Sequence, residues 1–179
     1  MIKTLTAVLM SLFVLISCSK QSVDDNKENP EPNNEFFTFE FKGTTYNLVA
    51  FAVSPMPDGY AVQGITSLTS GQGVMMYINT KTSSATISLP FGDPNETGKS
   101  GVTFNLPNQS VIYSTAGYDC RGRYTYSQGS AKLTAIGEVG KYFEGNVSGV
   151  AFYNEKNCPA NEPVITESFR GSFKILRKM

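Results

Sequence analysis

Residues 36–179 predict an all-β domain, a single antiparallel β-sandwich, with a lipocalin-like β-barrel as the alternative. Three observations predict it. Short runs rich in Val, Ile, Thr, Phe and Tyr follow one another between turn signals, at the spacing of sandwiches and barrels. Runs near both ends alternate apolar and polar residues with a period of two. No window carries a sustained apolar stripe at helical spacing.

Taken in order, "FFTFEFK" places Phe37, Phe39 and Phe41 on one face and Thr38, Glu40 and Lys42 on the other. Gly43 turns the chain into "TTYNLVAFAV", whose second half is apolar on both faces, the pattern of a central strand. "SPMPDG" is a turn, since proline fixes φ and Asp58-Gly59 is a permissive pair. "YAVQGITSL" and "GVMMYINT" flank Ser70-Gly71-Gln72-Gly73. The runs "SATISLP", "GVTFNLP", "SVIYSTAG", "RYTYS" and "SAKLTAIG" follow, and "KYFEGNVSGVAFYN" and "VITESFRGSFKILR" close the chain. In the last, Ile165, Phe169, Gly171, Phe173 and Ile175 share a face, with Glu167 the one exception on it. Thr166, Ser168, Arg170, Ser172 and Lys174 share the other. Phe and Tyr make up 20 of the 144 residues. That favours an interior filled from two sheets over an empty cup, and so the sandwich over the barrel.

Before the domain, "MIKTLTAVLMSLFVLISC" pairs Lys3 with an apolar run from Leu5 to Ile16. The run falls short of the ~20 residues that span a bilayer, so residues 1–17 read as a secretion signal. Leu15-Ile16-Ser17-Cys18 resembles the lipobox of bacterial lipoproteins. The resemblance implies that Cys18 is lipidated and begins the mature chain, anchoring it to the membrane. Ser19 follows where an inner-membrane retention signal would place aspartate, which points to the outer membrane. Residues 18–35 are the lipidated cysteine and a polar tether with one apolar aliphatic, Val23. Such a segment cannot offset its ordering entropy, and its reach averages about 20–25 Å.

The domain carries twelve Lys or Arg against ten Asp or Glu, too small an excess for a nucleic-acid binder. With Cys18 lipidated, Cys120 and Cys158 remain. In an oxidising envelope a pair reads as a disulfide, worth roughly 4 kcal/mol on the chain-entropy model. The alternative is two separate free thiols.

Two motifs overlap in "GDPNETGKSG", residues 92–101. A phosphate loop needs a glycine where Asp93 stands and a helix after Gly98-Lys99-Ser100, whereas a strand pattern follows. A calcium loop matches at Asp93, Asn95, Thr97 and Gly98 but lacks its bidentate Glu, with Phe104 at that position. A polar interstrand loop bent by Pro94, Gly98 and Gly101 is the preferred reading.

The densest chemistry is in "YSTAGYDCRGRYTY", residues 113–126. Tyr118, Arg121, Arg123, Tyr124 and Tyr126 are the candidate ligand-binding residues, since aromatic faces and guanidinium forks suit a sugar or peptide. The competing reading has Tyr124 and Tyr126 packing one side of a strand, with the arginines solvated. The chain has no histidine, which removes the commonest general base and the Ser-His-Asp and Cys-His arrangements. Glu138, Glu144, Glu155, Glu162 and Glu167 could supply a glycosidase-like pair, but no spacing joins two of them. No catalytic residue, metal ligand or cofactor motif is therefore assigned.

The lipobox, the tether, "FTFEFKGTTY", "GVTFNLP" and "YFEGNVSGVAFYN…ITESFRGSFKIL" together resemble a group of Bacteroidota envelope lipoproteins. Their single β-rich domain ends in a hairpin with Gly-x-Phe spacing, as at Gly171-Ser172-Phe173. The resemblance implies an envelope lipoprotein with a β-sandwich or related fold, and implies no site residues. The expected function is a non-catalytic binding module for a glycan, a peptide or an envelope protein. The alternative is a lipocalin-like carrier of a small apolar ligand.

Overall fold

The computed structural model describes residues 34–81, 86–118, 124–153 and 166–178. They form twelve strands and, among the described residues, no helix. The strands are β1 (Phe36–Phe41), β2 (Thr44–Met56), β3 (Gly59–Ile65), β4 (Gly73–Asn79), β5 (Ile87–Pro90) and β6 (Lys99–Asn105). Then come β7 (Tyr113–Ser114), β8 (Ala116–Tyr118), β9 (Tyr124–Tyr126), β10 (Gly129–Ile136), β11 (Tyr142–Tyr153) and β12 (Thr166–Leu176). The all-β expectation holds.

Followed from neighbour to neighbour, β12-β1-β2-β3-β4-β6-β7-β11 returns to β12. The return is extensive, running from Tyr142 opposite Leu176 to Phe152 opposite Thr166. Eight antiparallel strands thus close on themselves. The seam at β7 is short: Ser114 and Tyr113 face Thr103 and Phe104 on β6, and Phe152 and Tyr153 on β11. The rest is covered by β10 and β5, which branch from β11. There Phe91 bridges Ser100, the Gly92 amide donates to the Ser100 carbonyl at 3.0 Å, and Ser100 Oγ donates to the Leu89 carbonyl at 2.7 Å.

This closure fits the barrel alternative better than the sandwich. Alternation with period two is common to both, and the choice depends on which distant strands become neighbours. The composition argument fails on size. Eight strands enclose a space that side chains just fill, so a filled interior does not require two sheets.

Aromatic rings do the filling. Phe39 meets Phe104 and Phe169 at 4.9 and 5.4 Å, and Phe41 meets Phe104 and Tyr113 at 4.9 and 4.6 Å. A second group joins Phe37, Phe173, Phe143 and Tyr60 at 5.1–6.2 Å. The inward residues are those the alternation of β1 and β12 marks out: Phe37, Phe39, Phe41, Phe169, Phe173 and Ile175 are all buried. Ile165 lies outside the described residues.

One local reading needs correction. In β2, Val49 and Phe51 are 50% and 45% exposed, so the strand is not covered on both faces. A barrel of antiparallel strands buries only its inner face. A register shift between Ala50 and Ala52 leaves Phe51 as the extra residue and returns Val53 to the interior. Glu167, the polar exception on β12, forms a 3.2 Å ion pair with Lys42. Lys42 also donates to the Tyr113 hydroxyl at 2.9 Å. It can do so because Lys42 and Gly43 both have positive φ (51° and 72°) in the two-residue turn from β1 to β2.

Candidate functional site

Thr115 decides where the tyrosine-rich stretch goes. It is fully buried, its amide donates to the Val102 carbonyl at 2.8 Å, and its hydroxyl accepts from the Val102 amide at 2.9 Å. One residue thereby satisfies both backbone groups of Val102, partly through its side chain, and the chain can leave the barrel wall. It leaves as a hairpin in which Ala116, Gly117 and Tyr118 face Tyr126, Thr125 and Tyr124. The Ser127 amide closes the base by donating to the Thr115 carbonyl at 2.8 Å.

On this hairpin Tyr124 and Tyr126 meet edge to face, with centroids 5.3 Å apart and planes at 89°. Tyr124 is 53% exposed and Tyr126 half-buried. They do share one side of a strand, but that side is not the core. Tyr118 belongs to β8 with its backbone opposite Tyr124. Arg121 and Arg123 lie outside the described residues, as do Cys18, Cys120 and Cys158.

The loop of residues 92–98 comes to the same place. Asp93 Oδ1 accepts from the Asn95 amide at 2.8 Å and from Asn95 Nδ2 at 3.0 Å, and the Glu96 amide donates to the Asp93 carbonyl at 3.0 Å. This is an aspartate-built turn, and it runs into strand β6 rather than a helix. Asp93 Oδ1 is occupied within its own loop, and the carboxylate lies near Tyr126. Among the described residues, no three His, Cys, Asp or Glu side chains gather to hold a metal ion.

A third tyrosine, which the motif reading passed over, joins the two segments. Tyr77 on β4 stands opposite Gly101 on β6. A Cβ on Gly101 would lie 2.2 Å from the Tyr77 ring, so the ring covers the bare backbone. Its hydroxyl donates to the Gly92 carbonyl. Such an aromatic lying over a strand glycine across the ladder is a recognised pairing, and it is the signal that could have singled out Tyr77.

Partial burial, and then the nearby Tyr126, Tyr124 and Asp93, push the Tyr77 hydroxyl well above its ordinary value of 10.0. Removal from water and then Asp93, Tyr124 and Glu96 push Tyr126 upward as well. The folded state therefore holds a proton that the unfolded chain gives up near pH 10. This contribution to stability is intact below that pH and is lost as pH rises above it. An alkaline titration followed by tyrosinate absorbance should show at least one tyrosine ionising only with unfolding. Nine tyrosines all titrating near pH 10 in the folded protein would contradict this.

Three segments distant in sequence thus build one outer face: Tyr77 over Gly101, the Tyr124–Tyr126 pair, and Asp93 with Glu96. No family model, curated protein or solved structure matches this chain. The chemistry of the face is what its side chains offer. Ring faces stack on flat apolar surfaces, and carboxylates accept hydroxyl donors. Of the candidate acids, Glu144 and Glu167 do not form a comparable centre. Glu144 pairs with Lys174 at 3.1 Å, Glu167 with Lys42, and Glu155 and Glu162 lie outside the described residues. Glu167 stands opposite Ala151, seven residues along β11 from Glu144. That is about 23 Å, against the ~5–9.5 Å of a glycosidase pair.

Proposed function

We propose that this chain is a non-catalytic binding module of the bacterial cell envelope, anchored at the outer membrane through lipidated Cys18, and that it takes a glycan on its tyrosine face. The observation that carries the reading is the edge-to-face Tyr124–Tyr126 pair on the outside of the barrel, with Tyr77, tied by its hydroxyl to the Gly92 carbonyl, and Asp93 close by. A sugar ring presents an apolar face for the exposed tyrosine and hydroxyls for the carboxylates. The lipobox-like start and the polar tether fit the same reading. A tethered module works at high local concentration, so a modest single-site affinity suffices.

The carrier reading has one observation in its favour, the closure of eight strands, since barrels of that size can hold a ligand. Against it stands the interior, where Phe37, Phe39, Phe41, Phe104, Phe143 and Phe173 occupy the space a cargo would need. We therefore prefer the outer face.

The test is a binding screen of the full chain against soluble glycans and envelope polysaccharides, alongside a Tyr124→Ala/Tyr126→Ala variant. The variant is expected to lose at least about tenfold in affinity, as the loss of one or two stacking contacts implies, with an unchanged melting temperature. Equal binding by the variant, or binding to peptides alone, would overturn the glycan reading.

A further inference from the structure

The outer wall of the barrel changes character from one side to the other. Over β11, β12 and β1 its outward side chains include paired charges, Arg170 with Glu40 and Lys174 with Glu144. Over β2 and β4, and on the chain leading into β7, large apolar side chains stand in the open instead. Phe36, Val49, Phe51, Met75 and Ile112 are each 45–56% exposed. Lys174 stands opposite Phe36 and marks the border between the two sides.

The register brings these residues together. Phe37 pairs with Leu48 across β1 and β2, so the next step of that ladder sets Phe36 beside Val49. Val49 is opposite Ile65 on β3, and Ile65 is opposite Gly73 on β4. Ile65, Met75 and Ile112 then line one outer hollow of about 240 Å³, together with the polar Gln63, Thr103 and Asn105. No charged residue lines it. Apolar residues exposed singly need no explanation, but a run of them from strand to strand, rimmed by polar groups, marks an interaction surface.

The place where the chain enters the domain points to the occupant. Residues 18–35 lead from Cys18 to Phe36, which is itself part of the patch. Their reach averages about 20–25 Å, so an anchored domain stays close to the bilayer and a weak contact suffices to seat it. We infer that this patch docks on the lipid bilayer that holds the Cys18 anchor. Phe36, Val49, Phe51 and Met75 enter the boundary between headgroups and acyl chains, where apolar side chains of a peripheral protein lodge. The patch brings no charge with it, and charge is what is costly to carry to that depth. The inference rests on the lipid anchor of the proposed function and adds which side of the domain turns to the membrane.

The chain contains no tryptophan, so a single introduced indole reports on its own position. The lipidated chain is placed in phosphatidylcholine vesicles with and without bromine on the acyl chains. It carries either Val49→Trp or, for the far wall, Ser148→Trp at an exposed position of β11. The Val49→Trp emission should shift to the blue and be quenched by the brominated lipid, while Ser148→Trp keeps the emission of an indole in water. Adding Phe51→Glu to Val49→Trp should abolish the quenching without changing the melting temperature, since a carboxylate is costly at that depth. Quenching of neither indole, of both alike, or quenching that survives Phe51→Glu overturns the inference. A blue shift without quenching, with a dimer seen by ultracentrifugation, assigns the patch to a second copy and overturns it too. The mass of the mature chain separates the two failures. A chain without acyl groups overturns the anchor and this inference with it, whereas an acylated chain with an unquenched Val49→Trp overturns the docking alone.

Discussion

Phe39→Ala should lower the free energy of unfolding by about 3–5 kcal/mol, the usual cost of removing a buried phenylalanine ring. Phe39 is 0% exposed and lies at the junction of strands β1, β6 and β12, against Phe104 and Phe169. The neighbouring rings are themselves fixed, Phe104 against Tyr113 and Phe169 against Phe91. The cavity therefore cannot collapse, and the loss falls in the upper part of the range. Against a total stability of about 5–15 kcal/mol, the variant sits near its unfolding threshold. Urea denaturation is the measurement, with the midpoint falling and the slope unchanged. Phe36→Ala, a neighbour on the same strand that is 45% exposed, should cost within about 0.5 kcal/mol. Similar costs for the two would contradict the filled barrel.

Gly101→Ala should be costly without touching the core. Its new Cβ would fall within 2.3 Å of Tyr77 Cε1, Cζ and Oη, so the ring must swing away. Overpacking of this kind costs about 1–3 kcal/mol, and the swing also breaks the hydrogen bond to the Gly92 carbonyl. Glycan binding, if the proposed site is correct, should fail with it, because Tyr77 joins β4 to the Asp93 loop. A double-mutant cycle separates the causes. In a Tyr77→Ala background, Gly101→Ala should cost almost nothing, giving a coupling energy close to the single-mutant loss. Additive losses would mean that the alanine is harmful for a reason other than the ring.

How much of this was legible depended on distance along the chain. The inward faces of β1 and β12 could be read because alternation is a property of neighbours, and the turn at Gly43 because its backbone demand is local. The ring closure could not. It depends on Tyr113 and Ser114 meeting both β6 and β11, a matter of two residues and no motif. The exposed side of β2 was hidden for a related reason, since "LVAF" reads the same whether or not its outer face is covered. At the site, the tyrosine stretch and the 92–98 loop each stood out in sequence, but nothing joined them. The link is Tyr77, whose significance lies in the glycine opposite it.

The position of β12 also sets the order in which the molecule can be assembled. This strand lies between β1 and β11, pairing Phe37 with Phe173 on one side and Gly145 with the same Phe173 on the other. A chain emerging from its amino end, from a ribosome or through a membrane, must therefore wait for residues 166–176 before the ring can close. Until then β1 and β11 present open hydrogen-bonding edges, the form most prone to pairing with other chains. Contacts of such long sequence separation also slow closure once the chain is complete. The protein should thus depend on holding factors until its last strand is made. Moving the β12 segment ahead of β1 by circular permutation should slow folding while leaving the finished barrel unchanged, because the eleven-residue pairing with β11 then becomes the distant one in place of the six-residue pairing with β1.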